Sequence, residues 1–134
     1  MKRALFIAIC LFVVVAAWGQ SEGEYRKWMQ TAGATVGSLK KNLDAKNAEA
    51  AAADAKTLHS VFAQVHAFFK AKQSEDAMKF AMGASDGFDK IAQQSSAGKF
   101  DEASATFKET TANCGGCHSA HREKASDGSF RIKY

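Results

Sequence analysis

Cys114-Gly115-Gly116-Cys117-His118 sets two thiols three residues apart, with an imidazole directly after the second. On an α-helix, residues three and four apart are neighbours, so Cys114, Cys117 and His118 would share one face. This order of residue types is the signature of covalent haem attachment: the thiols add across the two vinyl groups of a porphyrin, and the imidazole reaches the iron from one side. Gly115 and Gly116 add little bulk where such a helix would meet the porphyrin edge. Rival chemistries fit less well. A thioredoxin-like redox pair needs a strand before the motif in a βαβ setting, and no strand pattern precedes Cys114. Zinc on Cys114, Cys117, His118 and His121 would crowd four ligands into eight consecutive residues, which suits no usual zinc spacing. A disulfide across the two cysteines would strain a helix and leave His118 unexplained.

The chain's other cysteine, Cys10, lies in a different kind of segment. Lys2 and Arg3 precede an apolar run from Ala4 to Trp18 and small residues ending at Gly19, the plan of a secretory signal peptide. A membrane-spanning helix needs ~20 apolar residues and this run is shorter, so cleavage is expected rather than retention as an anchor. With Ala17 at the minus-three position, the expected cut follows Gly19. Ile9 before Cys10 is not the small residue that lipid modification would want. The expected destination is the periplasm, across the bacterial inner membrane, and covalent haem attachment belongs to the same export route. The mature chain then keeps only Cys114 and Cys117, and both have a use.

Export also changes the charge. Lys and Arg number 18 against 14 Asp and Glu, and loss of Lys2 and Arg3 leaves 16 against 14, a balance of +2. Two haem propionates would cancel it. The cations are scattered rather than clustered, so no nucleic-acid partner is expected.

Residues 20–134 fit one domain, since domains commonly run ~100–150 residues. They contain no proline and are rich in alanine and lysine, which favours helix. Ser21 with Glu24 makes a capping box, and Tyr25, Met29, Ala32, Val36, Leu39 and Leu43 recur at helical spacing, predicting a helix over Glu22 to Leu43. Asn47 caps a second helix with Ala51, Ala55, Leu58, Phe62, Val65 and Phe69 on one face. Ser74, with Glu75 and Asp76 in the first turn, starts a third that carries Ala77, Phe80, Ala81, Ala84, Phe88 and Ile91 and stops at Gly98. A fourth begins near Lys99, its apolar seam running through Phe100, Phe107 and Cys114 with Ala103, Thr110 and Cys117 between, so that the cysteines continue a buried stripe. After Lys124 follows a tail in which Phe130, Ile132 and Tyr134 alternate with Arg131 and Lys133, and which either docks on the bundle or frays. Short links make consecutive helices antiparallel neighbours, so the expected fold is all-α, an up-down-up-down four-helix bundle with covalent haem near the C-terminus.

On these residues the chain resembles the class II c-type cytochromes, which comprise cytochrome c′ and its low-spin, Met-ligated relatives. The marks are the haem motif near the C-terminus, Arg122 four residues past His118, and a first helix reading Tyr25-Arg26-Lys27-Trp28-Met29 with Gly33 four residues after the methionine. The resemblance covers essentially the whole mature chain. It implies one haem c whose iron is ligated by His118 and, as in the low-spin relatives, by Met29. Cytochrome c′ itself has an apolar residue there and a five-coordinate iron. The resemblance also implies that Arg122 lies near the proximal histidine or a propionate, and that two copies pair through their first two helices as a homodimer. His121 stands where the family usually has an aromatic residue.

Met29 has weight of its own. At about 100° per residue it lies near the edge of the first helix's buried stripe, with Gly33 a turn on and Gly37 a turn beyond. Each glycine costs a helix ~1 kcal/mol relative to alanine, and close approach by something flat is a physical reason for both. Core filler is the alternative, as for most methionines at helical spacing. His59 and His66 flank the stripe of the second helix, Met78 and Met82 lie off the seam of the third, and His121 can border a porphyrin but not reach the far side of its iron. Arg26 or Lys27 either pairs with a propionate or stays solvated.

Two functions follow. With Met29 and His118 both ligating, the protein is an electron carrier meeting redox partner proteins through small transient contacts, and not an enzyme. With His118 alone ligating, it binds nitric oxide or carbon monoxide as cytochrome c′ does.

Overall fold

The computed structural model describes residues 21–134. The expected leader, with Cys10 and the cut after Gly19, lies outside the described residues. Four helices follow one another, α1 Glu22–Asp44, α2 Ala48–Ala71, α3 Glu75–Ser96 and α4 Phe100–His121, and the chain ends in an antiparallel hairpin of β1 Arg122–Lys124 with β2 Phe130–Ile132. The expected bundle of four helices is present. Among the described residues no helix is long and apolar enough to cross a membrane.

The helix starts follow the sequence signals, with one difference. The capping box of Ser21 and Glu24 is formed in both directions, and Asn47 accepts from the Ala50 N–H. Ser74 makes no cap; its hydroxyl donates to Asp76, whose carboxylate accepts the Ala77 N–H. The carboxylate sits two residues further on, still in the first turn, where the helix dipole favours it. At Gly98, φ is 71° and the Lys99 N–H reaches back to the Gln94 carbonyl, the left-handed stop expected there.

Consecutive helices pack against each other, and their largest buried side chains are Phe68, Phe69, Phe88, Leu39, Leu58 and Ile91. The α3–α4 contact is built on glycines. A side-chain carbon on Gly87 would collide with Thr110, one on Gly83 would lie 2.8 Å from Asn113, and one on Gly116 would lie 2.6 Å from the Phe80 ring. Glycine on one helix thus makes room for a side chain on the other. Because α4 sits so near α3, its buried line runs through Ala103, Thr106 and Thr110, while Phe100, Phe107 and Cys114 lie at the edge and are half-buried. The predicted seam is displaced by that much.

The circle of helices does not close. α1 packs on α2, α2 on α3 and α3 on α4, but α1 and α4 make little direct contact. Near the start of α1 the C-terminal hairpin bridges that opening.

Candidate functional site

The opening between α1 and α4 holds a cavity of about 590 Å³, well inside the ~300–1,000 Å³ range of clefts that take small molecules and cofactors. From α1 it is lined by Tyr25, Arg26, Met29, Gly33 and Val36; from α2 and α3 by Phe62, Val65, Phe80, Ala81 and Ala84; from α4 by Cys114, Cys117 and His118. Arg122, Phe130, Arg131 and Ile132 of the hairpin complete it. All six residues singled out from the sequence, Cys114, Cys117, His118, Met29, Arg122 and Arg26, therefore border one cavity. Lys27 does not line it.

The two thiols and the imidazole are half-buried and come from one face of α4, as their three- and four-residue spacing dictates. Burial pushes the Cys114 thiol up. Burial, then the negative charge of Cys114 and Asp76, pushes Cys117 to about 11. Burial and the neighbouring Arg122 guanidinium push His118 down. At neutral pH the site presents two protonated thiols and a neutral imidazole with a free lone pair. Reactive redox cysteines show the reverse, a thiolate stabilised by positive surroundings.

A consequence is measurable on the haem-free chain. Against the unperturbed thiol value of 9.0, a Cys117 value of about 11 leaves roughly a hundredth of the thiolate at pH 8. The greater intrinsic nucleophilicity of a more basic thiolate recovers about tenfold. Iodoacetamide should therefore alkylate Cys117 about tenfold more slowly than an unfolded cysteine at pH 8, with the rate still climbing beyond pH 10, as followed by peptide mass spectrometry. The same raised value means that Cys117 supports the fold below about pH 9, the unfolded value, and that this support is lost as pH rises toward 11. Alkylation at the rate of the denatured chain would contradict it.

His121 borders the cavity but its ring is engaged elsewhere. It is buried, with Nδ1 2.8 Å from the Lys133 carbonyl, Nε2 3.0 Å from the Asp76 carboxylate, and its ring against Phe69. Both partners are acceptors, so both bonds are made only when both ring nitrogens carry protons. His121 thus ties α4, α3 and the tail together. Asp76, whose slight burial works upward, is held below the ordinary carboxylate value by the Ala77 N–H and by the charge and hydrogen bond of His121.

The other sequence candidates lie apart. His59 Nδ1 is 3.0 Å from both the Ser85 carbonyl and its hydroxyl, joining α2 to α3. Neither it nor His66, Met78 or Met82 lines the cavity. Gly116 serves Phe80, while a side-chain carbon on Gly115, Gly33 or Gly37 would meet no protein atom within 4 Å. Gly33 borders the cavity and Gly37 does not, so the expectation of a close approach survives at Gly33 alone.

Sequence reasoning did not find Arg131, Phe130 and Ile132 as cavity residues. The signal was present, since apolar and charged residues alternate there at the period of a strand. Among the described residues no group of three or more His, Cys, Asp or Glu side chains converges to hold a metal by itself. The residues able to hold a cofactor are Cys114 and Cys117 by covalent bonds, and His118 and Met29 by ligation to its metal. No protein-family model, curated protein or solved structure matches this chain.

Proposed function

We propose that this chain is an exported monohaem c-type cytochrome that carries electrons between redox partners in the periplasm, with haem c attached through Cys114 and Cys117 and its iron ligated by His118 and Met29. The observation that carries the reading is that two thiols and an imidazole on one face of α4, and a thioether on α1, line the same cavity in the gap between those helices.

The remaining features of the cavity fit a haem. Its walls are largely aliphatic and aromatic, which suits a macrocycle that is expelled from water. Three guanidiniums, Arg26, Arg122 and Arg131, border it and suit two carboxylates. The lowered His118 keeps its lone pair available to a metal. Bound haem supplies one-electron chemistry between the ferric and ferrous states; a thioether ligand favours the ferrous form and a higher potential. The protein's own part is to hold the two ligands on different helices, exclude water with Phe62, Phe80 and Ile132, and leave one edge within reach of a partner. The motif, the leader and the first-helix methionine together support the resemblance to the class II cytochromes.

The test is expression with export and a haem-attachment system. Covalent haem stain on a denaturing gel and a low-spin ferric spectrum are the expected results. A high-spin spectrum with covalent haem transfers the protein to the nitric oxide- or carbon monoxide-binding class. Absence of covalent haem overturns the proposal.

A further inference from the structure

The last two residues tie the C-terminal hairpin to two helices of the bundle. The Lys133 N–H donates to the His121 carbonyl at 2.7 Å and the Lys133 carbonyl accepts from His121 Nδ1. The Tyr134 hydroxyl donates to the Glu22 carboxylate at 3.1 Å, and its ring lies against Phe68. The hairpin thus runs from α4 to α1 across the opening of the bundle, and it carries Arg131 into the cavity wall.

The charges around that wall do not balance. Arg26, Arg122 and Arg131 border the cavity, and among the described residues none of them forms an ion pair. Glu22, the one carboxylate of the lining, is hydrogen-bonded to Tyr134. Three like charges beside an apolar cavity repel one another, and an anion among them relieves the repulsion. Two of the three have other neighbours. The Arg122 guanidinium lies 3.5 Å over the Phe130 ring, and Arg26 is near enough to Asp127 in the hairpin turn to help the Ser129 hydroxyl hold that carboxyl low. Arg131 has neither.

We infer that the hairpin is a clasp for the cavity's ligand, and that Arg131 is a positioning residue that pairs with one carboxylate of the bound haem. This rests on the haem reading above. The pairing neutralises a carboxylate at the apolar cavity's edge.

The experiment is a potentiometric titration of the haem-loaded protein at several pH values, comparing wild type, Arg131→Gln and Arg131→Lys. The other charged or titratable groups facing the clasp are Glu22, Tyr25 and Arg26 on α1, Lys72 at the end of α2, Asp76 on α3, and His118 and His121 on α4, with Arg122, Asp127 and Tyr134 in the clasp itself; they are the same in all three proteins. Loss of the guanidinium removes a positive charge that favours the ferrous state, so the midpoint potential of Arg131→Gln falls. The inflection that marks protonation of the haem carboxylate moves up by about one pH unit, since a nearby opposite charge shifts a carboxyl by about 1–3 units. Arg131→Lys restores most of both. Arg131 is exposed, so the unfolding midpoint stays at the wild-type value. A wild-type potential and inflection in covalently loaded Arg131→Gln would overturn the clasp and leave the haem reading standing. A wild type that takes up no covalent haem overturns that reading, and the clasp with it.

Discussion

In the haem-loaded protein, Met29→Ala abolishes the weak near-infrared methionine-to-iron charge-transfer band of the ferric state and turns the spectrum high-spin. The expectation comes from what lines the cavity on the side of α1. Met29 is the only sulfur donor there; Glu22 is hydrogen-bonded to Tyr134, and Tyr25 is held in its protonated form, first by burial and then by the neighbouring Cys117 and Tyr134. Gly33, one turn on, leaves open space beside it. Removing the thioether also removes the preference for ferrous iron, so the potential falls. Met29 is only half-buried, so the cost to the fold lies at or below the low end of the ~2–5 kcal/mol typical of buried Met→Ala changes. Spectrum and stability therefore separate: a changed spectrum with a nearly unchanged unfolding midpoint is the result expected. A wild-type ferric spectrum in Met29→Ala would remove Met29 from the ligand set.

Phe68→Ala has the largest effect on the fold. Phe68 is 1% exposed and its ring is packed against Tyr25 at 5.0 Å, Phe69 at 5.3 Å, and Trp28 and Tyr134 at 6.4 Å between centroids. Lys72 lies over it at 5.7 Å. Truncation loses the transfer energy of the ring and opens a void that α1, α2 and the tail cannot all close, about 3–5 kcal/mol for a core phenylalanine. At 1.4 kcal/mol per tenfold, the folding constant of the haem-free chain drops by about two to three and a half orders of magnitude, read as a lower urea midpoint with unchanged slope. The loss reaches the site as well, because Tyr25 lines the cavity and Tyr134 anchors the hairpin that covers it. A loss below about 1 kcal/mol would mean that the aromatic cluster is not what holds this end of the bundle.

Much of this architecture was legible along the chain. The capping residues Ser21 and Asn47, the stop at Gly98 and the absence of proline mark helices by local rules, since each signal concerns backbone groups within a few residues. The common face of Cys114, Cys117 and His118 is equally local: helical spacing alone sets it. Ser74 shows the limit, because the acceptor that helix needs is supplied two residues later by Asp76, which also binds a histidine from another helix.

Periodicity says which face of a helix is apolar, but not how near its neighbour will come. That distance depends on complementary sizes across the contact, Gly87 facing Thr110 and Gly116 facing Phe80, and it drew α4 toward α3 and moved its buried line away from the cysteines. The same asymmetry leaves α1 apart from α4, so only the tertiary structure brings Met29 to the cavity of His118. It also turns His121 toward Asp76 and Lys133, and folds the tail over the opening with Arg131. From the amino-acid sequence alone come the helices and the chemistry of one contiguous motif, because both are properties of neighbours in the chain. Which distant residues share that motif's cavity was decided by packing, a property of surfaces that meet only once the chain has folded.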